Sequence, residues 1–210
     1  MKEYHKIEAL FERDTQTKKL QEGKFRSPMV EYLKDNEWEF TEKIDGTNIR
    51  IIWDGHKVSF YGRTEKSLIP AELTNRLIEL FGGDANEELF EQKFGEEEVM
   101  LVGEGYGGKI QGKRGYSEHE DFILFDVAVG GCYLNRKDVE EIAQYFNLKA
   151  VPIALRGTIE DGIQYVKTKP NSLIGNEKSE GVVGRPRIEL KNNIGRRIIT
   201  KIKVTDFIRS

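Results

Sequence analysis

Cysteine is almost missing from this chain: Cys132 is the single one in 210 residues. No internal disulfide can form, and a reducing, cytoplasmic setting fits that usage. Cys132 itself reads as a small core or strand residue. Histidine is nearly as scarce, with three scattered along the chain. One cysteine and three dispersed histidines cannot assemble a zinc site of ordinary composition, so any metal here is a hard cation on oxygen ligands. No apolar run is long enough for a transmembrane helix, which leaves no membrane partner. The opening Met1-Lys2-Glu3-Tyr4-His5-Lys6 also lacks the apolar stretch of a secretory signal. Neither charge dominates. The net charge of -3 argues against indiscriminate nucleic-acid binding. Repeats, low-complexity tracts and Ser/Pro-rich linkers do not occur. The chain therefore reads as one domain over residues 1–210, expected to be a monomer.

The elements that are present alternate in type. Ser27-Pro28 opens a short helix to about Asp35 by the N-cap and first-turn rules. Residues 49–53 and 57–61 alternate around Asp54-Gly55, a hairpin signal. From Pro70 to Phe81, Leu73, Leu77 and Leu80 share one helical face and belong to a core. Residues 87–98 are acid-rich and read as a solvated loop and helix face. Phe122 to Val129 reads as a buried strand. Asn135 caps a helix through Phe146, with Val139, Ile142, Ala143 and Phe146 as its apolar face. The turn cluster Asn192-Asn193-Ile194-Gly195 between late strands predicts another hairpin. The pattern is α+β, mostly antiparallel strands with helices packed outside.

Chemistry concentrates in Lys43-Ile44-Asp45-Gly46-Thr47-Asn48, directly after the strand-like Trp38-Glu39-Phe40-Thr41-Glu42. A lysine ending a strand beside a glycine turn can project its amine into a cleft. Read alone, the same letters also suit a solvated charged turn. Further along stand Arg63 in Tyr61-Gly62-Arg63-Thr64 and Glu104 in Val102-Gly103-Glu104-Gly105. Phe122-Ile123-Leu124-Phe125-Asp126 follows, then Glu180-Gly181-Val182-Val183-Gly184-Arg185-Pro186. The alternating Ile199-Thr200-Lys201-Ile202-Lys203-Val204 ends the series. Between Arg185 and Lys203, seven Lys and Arg face a single acid, Glu189. That is a footprint for phosphate, although charged surface hairpins look alike.

Gly103-Glu104-Gly105-Tyr106-Gly107-Gly108 also satisfies the dinucleotide pattern G-x-G-x-x-G after the strand-like residues 99–102, with Asp126 near the spacing of a ribose-binding acid. The following Lys109-Ile110-Gln111-Gly112-Lys113-Arg114-Gly115 carries no helical period. A dinucleotide fold needs a helix there to receive the pyrophosphate. A carboxylate inside the glycine loop would repel that group. The glycines better serve a loop bringing Glu104 near a nucleotide sugar.

The ordered series resembles the motifs of covalent nucleotidyltransferases, and most of all ATP-dependent RNA ligases of the RNA ligase 2 and RNA-editing type. Asn48 is the discriminating letter, since DNA ligases and capping enzymes usually carry arginine there. Likeness extends to Pro70-Ala71-Glu72 and Gly108-Lys109-Ile110-Gln111. The resemblance implies an α+β adenylation domain and an enzyme that uses ATP with Mg²⁺ or Mn²⁺. Its partners would be RNA ends, a 5′-phosphate and a 3′-hydroxyl. Lys43 would become linked to AMP, with Lys201 and Lys203 on the α-phosphate and Phe125 stacked on adenine. Phe122 is the core member of that phenylalanine pair. Glu104 would bind the ribose or metal-bound water, Glu180 would orient the metal's waters, and Asp45 would join them. Arg63 would reach the nucleotide or RNA end, and Asn48 would help place the attacking strand.

Lysine attack needs a neutral amine, and only roughly one free lysine in a few thousand is neutral at pH 7. Lys201 and Lys203 share a strand face and could supply the repulsion that favours neutrality, or could form an exposed polar face. Many relatives continue into a further domain that grips nucleic acid; this chain is expected to have no such C-terminal domain. A DNA ligase, a capping-type enzyme and a non-catalytic RNA-end or nucleotide-binding module remain the alternative readings.

Overall fold

The computed structural model describes residues 3–112 and 115–208. Along the chain, β1 (Phe11–Arg13), β2 (Leu20–Phe25), α1 (Pro28–Tyr32) and β3 (Trp38–Glu42) come first. They are followed by β4 (Thr47–Trp53), β5 (Val58–Tyr61), α2 (Ala71–Phe81), α3 (Asp84–Phe94) and β6 (Val99–Tyr106). Next come β7 (Asp121–Val129), β8 (Cys132–Tyr133), α4 (Arg136–Tyr145), β9 (Lys149–Ala150) and β10 (Ile153–Gly157). The series ends with α5 (Ile159–Lys167), β11 (Gly181–Pro186), β12 (Thr200–Lys203) and α6 (Val204–Ile208). The architecture is the α+β class expected from the sequence. The contacts divide the chain into two compact units, one of Met1–His5 and Asp45–Val151, the other of Lys6–Ile44 and Pro152–Ser210. Among the described residues no helix is long and apolar enough to cross a membrane.

The first unit is built on the sheet β5-β4-β6-β7-β8, antiparallel throughout, with β9 added in parallel to β7. The β4–β5 hairpin forms where Asp54 and Gly55 place it. The Asp54 carboxylate accepts from the His56 and Lys57 amides at 2.9 and 2.8 Å. Gly55 adopts φ +96°, and a Cβ there would lie 2.7 Å from the Glu96 carbonyl oxygen. One sheet face carries Ile49, Ile51, Trp53, Val99, Leu101, Phe122, Leu124 and Val127 into a core with α2, α3 and α4. Leu73 and Leu77 are buried there, whereas Leu80 is only partly so; Phe81 is the further buried residue on that face. Asn135 caps α4 by accepting from the Asp138 amide at 3.1 Å. The acid-rich segment is largely α3, whose exposed face surrounds one buried anchor, Phe90. Cys132 does lie in a strand, but it is exposed and no part of the core.

The second unit holds the antiparallel sheet β10-β3-β11-β12. Its core joins Trp38, Phe40, Val182 and Ile202 to Ile159, Ile163 and Val166 of α5. Thr158 and Asp161 form a reciprocal capping box at the start of α5. Ser27 caps α1, accepting from the Val30 amide at 3.4 Å, and the helix stops at Tyr32, three residues before the expected end. Residues 8–10 lie along the outer edge of β12: the Lys201 amide donates to Glu8 and the Leu10 amide donates to Lys201. The turn at residues 192–195 forms as expected, with the Asn192 side chain accepting from Ile194 and Arg196. Its flanks are held by a single bridge, Lys191 to Arg197, rather than by a full hairpin of strands.

Candidate functional site

Two-residue alternation along β3 sends Trp38 and Phe40 into the core and places Glu39 and Thr41 on the other face. Lys43 follows directly, its amide donating to the Gly181 carbonyl at 2.9 Å. The β11–β12 register sets Lys203 opposite Gly181 and Lys201 opposite Val183. These lysines are thus two apart on one strand, as their spacing predicts. Glu180 stands just before β11 and takes both neighbouring amines. Its Oε2 accepts from Lys43 Nζ at 2.5 Å, and its Oε1 pairs with Lys203 Nζ. Lys43 and Lys203 are therefore joined through a carboxylate.

Burial by itself would raise the Glu180 carboxyl. Attraction to Lys43 and hydrogen bonds from Lys203 and Lys43 outweigh it and hold the group below its ordinary value. Lys201 moves in the direction expected of crowded cations. Half-burial, then repulsion from Lys203 and Lys43, lowers its pKa. Asp206 fixes the backbone here, accepting from the Lys203 amide at 3.2 Å while paired with Arg13. Glu42 is a buried carboxylate that escaped sequence reasoning. Its Oε2 accepts from the Leu173 amide at 2.8 Å, and burial pushes its carboxyl up. A lone acid at a strand's last position, on the core side of the alternation, was the available signal.

In the first unit, β4 and β6 set Asn48 opposite Glu104, and β7 adds Ile123 beyond. Glu104 lies inside β6, not on a glycine loop, so that expectation is corrected. The flanking glycines serve the core instead. A Cβ on Gly103 would meet the Phe122 ring at 2.3 Å, and one on Gly105 would meet Leu73 at 2.3 Å. Among the described residues no long helix follows, and a short 3-10 turn covers Ile110–Gly112. Lys113 and Arg114 lie outside the described residues. The Asn48 Oδ1 atom is buried with no hydrogen-bond partner. Asp45 and Gly46 form a turn clasped from one loop. Tyr116 Oη receives the Asp45 amide at 3.4 Å, and Gln111 donates to the Gly46 carbonyl at 3.2 Å. Gly46 is obligatory, since a Cβ would sit 2.2 Å from the Gly105 oxygen.

Arg63 is exposed, while the backbone before it is anchored by buried Arg50, whose Nε donates to Gly62 at 3.0 Å. Phe125 is the extra residue of a β-bulge, because Val102 pairs with Asp126 and Gly103 with Leu124. The bulge reverses the alternation, letting Phe122, Leu124 and Val127 all face the core and leaving Phe125 partly exposed. Asp126, whose spacing suits a ribose ligand, is instead fully buried and accepts from Tyr4 Oη at 2.6 Å.

Of the basic run, several members are committed to the fold. Arg185 is buried. Arg187 pairs with Glu37 at 2.9 Å. Arg197, its side chain 3% exposed, grips Glu189 through two bonds of 2.5 and 3.0 Å. Lys191 and Arg196 remain exposed. Among the described residues, no three His, Cys, Asp or Glu side chains gather as metal ligands.

The RNA ligase family model matches residues 36–203, and the chain belongs to the RNA ligase family. Solved structures of a Naegleria gruberi RNA ligase share its fold. A lysine-to-alanine variant with ATP and Mn is 20% identical, with a TM-score of 0.65 over 86% of this chain and 53% of that one. A second lysine-to-alanine variant with ATP and Mn is 21% identical, with a TM-score of 0.67 over 96% and 59%. A lysine-to-methionine variant with AMP and Mn is 21% identical, with a TM-score of 0.64 over 86% and 53%. The chain spans a little over half the length of these solved chains. Comparison with curated proteins finds no match.

Proposed function

We propose that this chain is an ATP-dependent RNA ligase that adenylylates itself on Lys43, passes AMP to an RNA 5′-phosphate and seals that end to a 3′-hydroxyl. The observation that carries the reading is Glu180 holding Lys43 and Lys203 together, with a pKa-lowered Lys201 on the same strand as Lys203. In the first step, the neutral Lys43 Nζ bonds to the α-phosphorus and releases one proton to solvent. The bond to the β-phosphate oxygen breaks, and pyrophosphate leaves. Lys201 and Lys203 neutralise the charge that grows on the phosphoryl oxygens, which is where positioned cations contribute most. In the first unit, Phe125 takes the adenine, Glu104 the ribose, Arg63 the nucleotide or RNA end, and Asn48 the attacking strand.

A magnesium or manganese ion suits carboxylate oxygens that act through its water shell, as hard cations that keep their hydration prefer, and that is the role proposed for Asp45 and Glu104 of the first unit and for Glu180 of the second. When bound, such an ion neutralises phosphate charge. The family relationship and the Naegleria complexes with ATP or AMP and Mn support this cofactor set. Intact-mass measurement after incubation with ATP and Mg²⁺ tests the reading. The nucleotide-stripped protein should gain one AMP, Lys43→Ala should gain none, and GTP should not substitute. An unchanged mass in the wild-type protein refutes it, and preference for GTP would indicate a capping-type enzyme.

A further inference from the structure

Tyr4 is buried, and its hydroxyl donates to Asp126 Oδ2 at 2.6 Å across 122 residues of sequence. The Tyr4 ring stands 5.6 Å from the Phe125 ring at 59°. It also meets Tyr133 edge-on at 6.1 Å, and His5 packs against it at 4.6 Å. Phe125 needs such support. As the unpaired residue of a bulge it is skipped by the ladder that fixes its neighbours, and its ring is partly exposed. Nothing in the strand pairing alone determines where that ring points.

We propose that Tyr4 is a positioning residue for Phe125, holding its ring in the orientation that receives a purine base. The inference rests on the reading above in which Phe125 stacks on adenine. Two constraints act in series. The bond to buried Asp126 pins the Tyr4 ring, and tilted ring contact transmits that placement to Phe125, as aromatic pairs do at such separations. Because Asp126 is the residue next to Phe125, anchor and target move as one piece of β7. A tyrosine combines the ring and the hydroxyl this requires; phenylalanine would supply the ring alone.

The full chain tests this through Tyr4→Ala, Tyr4→Phe, Phe125→Ala and the Tyr4→Ala/Phe125→Ala double variant, with melting curves checking each fold. Calorimetric binding of AMP and of inorganic tripolyphosphate is compared with KM and kcat for lysyl-AMP formation. Tyr4→Ala should weaken AMP binding about tenfold, the scale of a lost stacking contact, while leaving tripolyphosphate binding unchanged. KM for ATP should rise by the same factor with kcat held, and Tyr4→Phe should show a smaller loss in the same direction. The double variant should bind AMP no worse than Phe125→Ala, since contacting residues acting as one unit are non-additive.

Unchanged AMP affinity in folded Tyr4→Ala, equal loss of AMP and tripolyphosphate, or an additive double variant would each overturn the assignment. If the alanine variant does not fold, Tyr4→Leu, which fills the space without a ring, decides by the same criteria. A wild-type protein that forms lysyl-AMP while Tyr4→Ala keeps its KM refutes this proposal alone. A wild-type protein that binds AMP through Tyr4 yet never forms the adduct refutes only the ligase reading.

Discussion

Replacing Lys201 by methionine should make the protein more stable and a poorer adenylylating enzyme. Lys201 and Lys203 stand two apart on β12, a separation of about 7 Å along a strand. Two like charges at that distance repel by about 0.6 kcal/mol at the dielectric of water and about 2.4 kcal/mol at an effective value near 20. Lys201 is only half-buried, so screening places the gain nearer 1 kcal/mol than the upper figure. Methionine keeps an apolar stem of similar length and removes the charge. For a chain of this size, about 1 kcal/mol corresponds to roughly 2–4 °C in Tm.

The pH dependence has a definite sign. Burial, then Lys203 and Lys43, hold the Lys201 pKa below its ordinary value of 10.5. Its penalty is therefore complete while the lysine is charged in both folded and unfolded chains. The penalty disappears as pH rises from the folded value through 10.5. Melting scans near neutrality and again near the ordinary lysine value should show the advantage of the variant shrinking. Incorporation of labelled AMP should meanwhile fall by about 10²-fold, the cost of losing one preorganised donor to phosphate. A variant that melts lower than wild type at both pH values, or that incorporates AMP normally, refutes the assignment of Lys201 as a crowded phosphate-binding cation.

Glu180→Gln should fold yet lose about 10²-fold or more in lysyl-AMP formation, measured by intact mass over time; normal rates would mean the carboxylate is only an ion-pair partner. Its stabilising effect should be present above the ordinary carboxyl range and vanish as pH falls through the lowered folded value, so wild-type and variant melting curves should converge in acid. RNA sealing should weaken steeply with salt while self-adenylylation does not, and neutralising Lys191 and Arg196 should flatten that slope. Arg197→Ala should instead cost about 3 kcal/mol in denaturant unfolding through its lost pair with Glu189, leaving the salt slope unchanged.

Local rules carried far where one side chain decides the backbone. The Asp54-Gly55 hairpin and the Ser27 and Asn135 caps were all readable because each depends on residues within a turn or two. Glu180 and the two late lysines were legible as chemistry, and the meeting of Glu180 with Lys203 follows from antiparallel pairing of β11 with β12. What stayed hidden depends on partners distant in sequence. The bulge at Phe125 is visible only once β6 supplies the register. The glycines around Glu104 look like a nucleotide loop until Phe122 and Leu73 are seen filling their space. The basic run from Arg185 to Arg197 reads as a phosphate surface until Glu37 and Glu189 arrive to take two of its guanidinium groups. The strap of residues 8–10 on β12 carries no pattern of its own. The Thr158 and Asp161 capping box, three residues apart, is by contrast a local signal for α5 that went unread.

The lone exposed thiol of Cys132 makes this protein simple to instrument. A maleimide dye would react at one place, with no second cysteine to compete and no mutagenesis required. The label would sit beside Tyr133, whose ring meets both Tyr4 and His5. Nucleotide binding that shifts this aromatic group would change the dye's emission, giving a continuous optical signal from the otherwise unmodified chain. The same accessibility means that purified material stored without reductant should accumulate covalent pairs of chains through this residue.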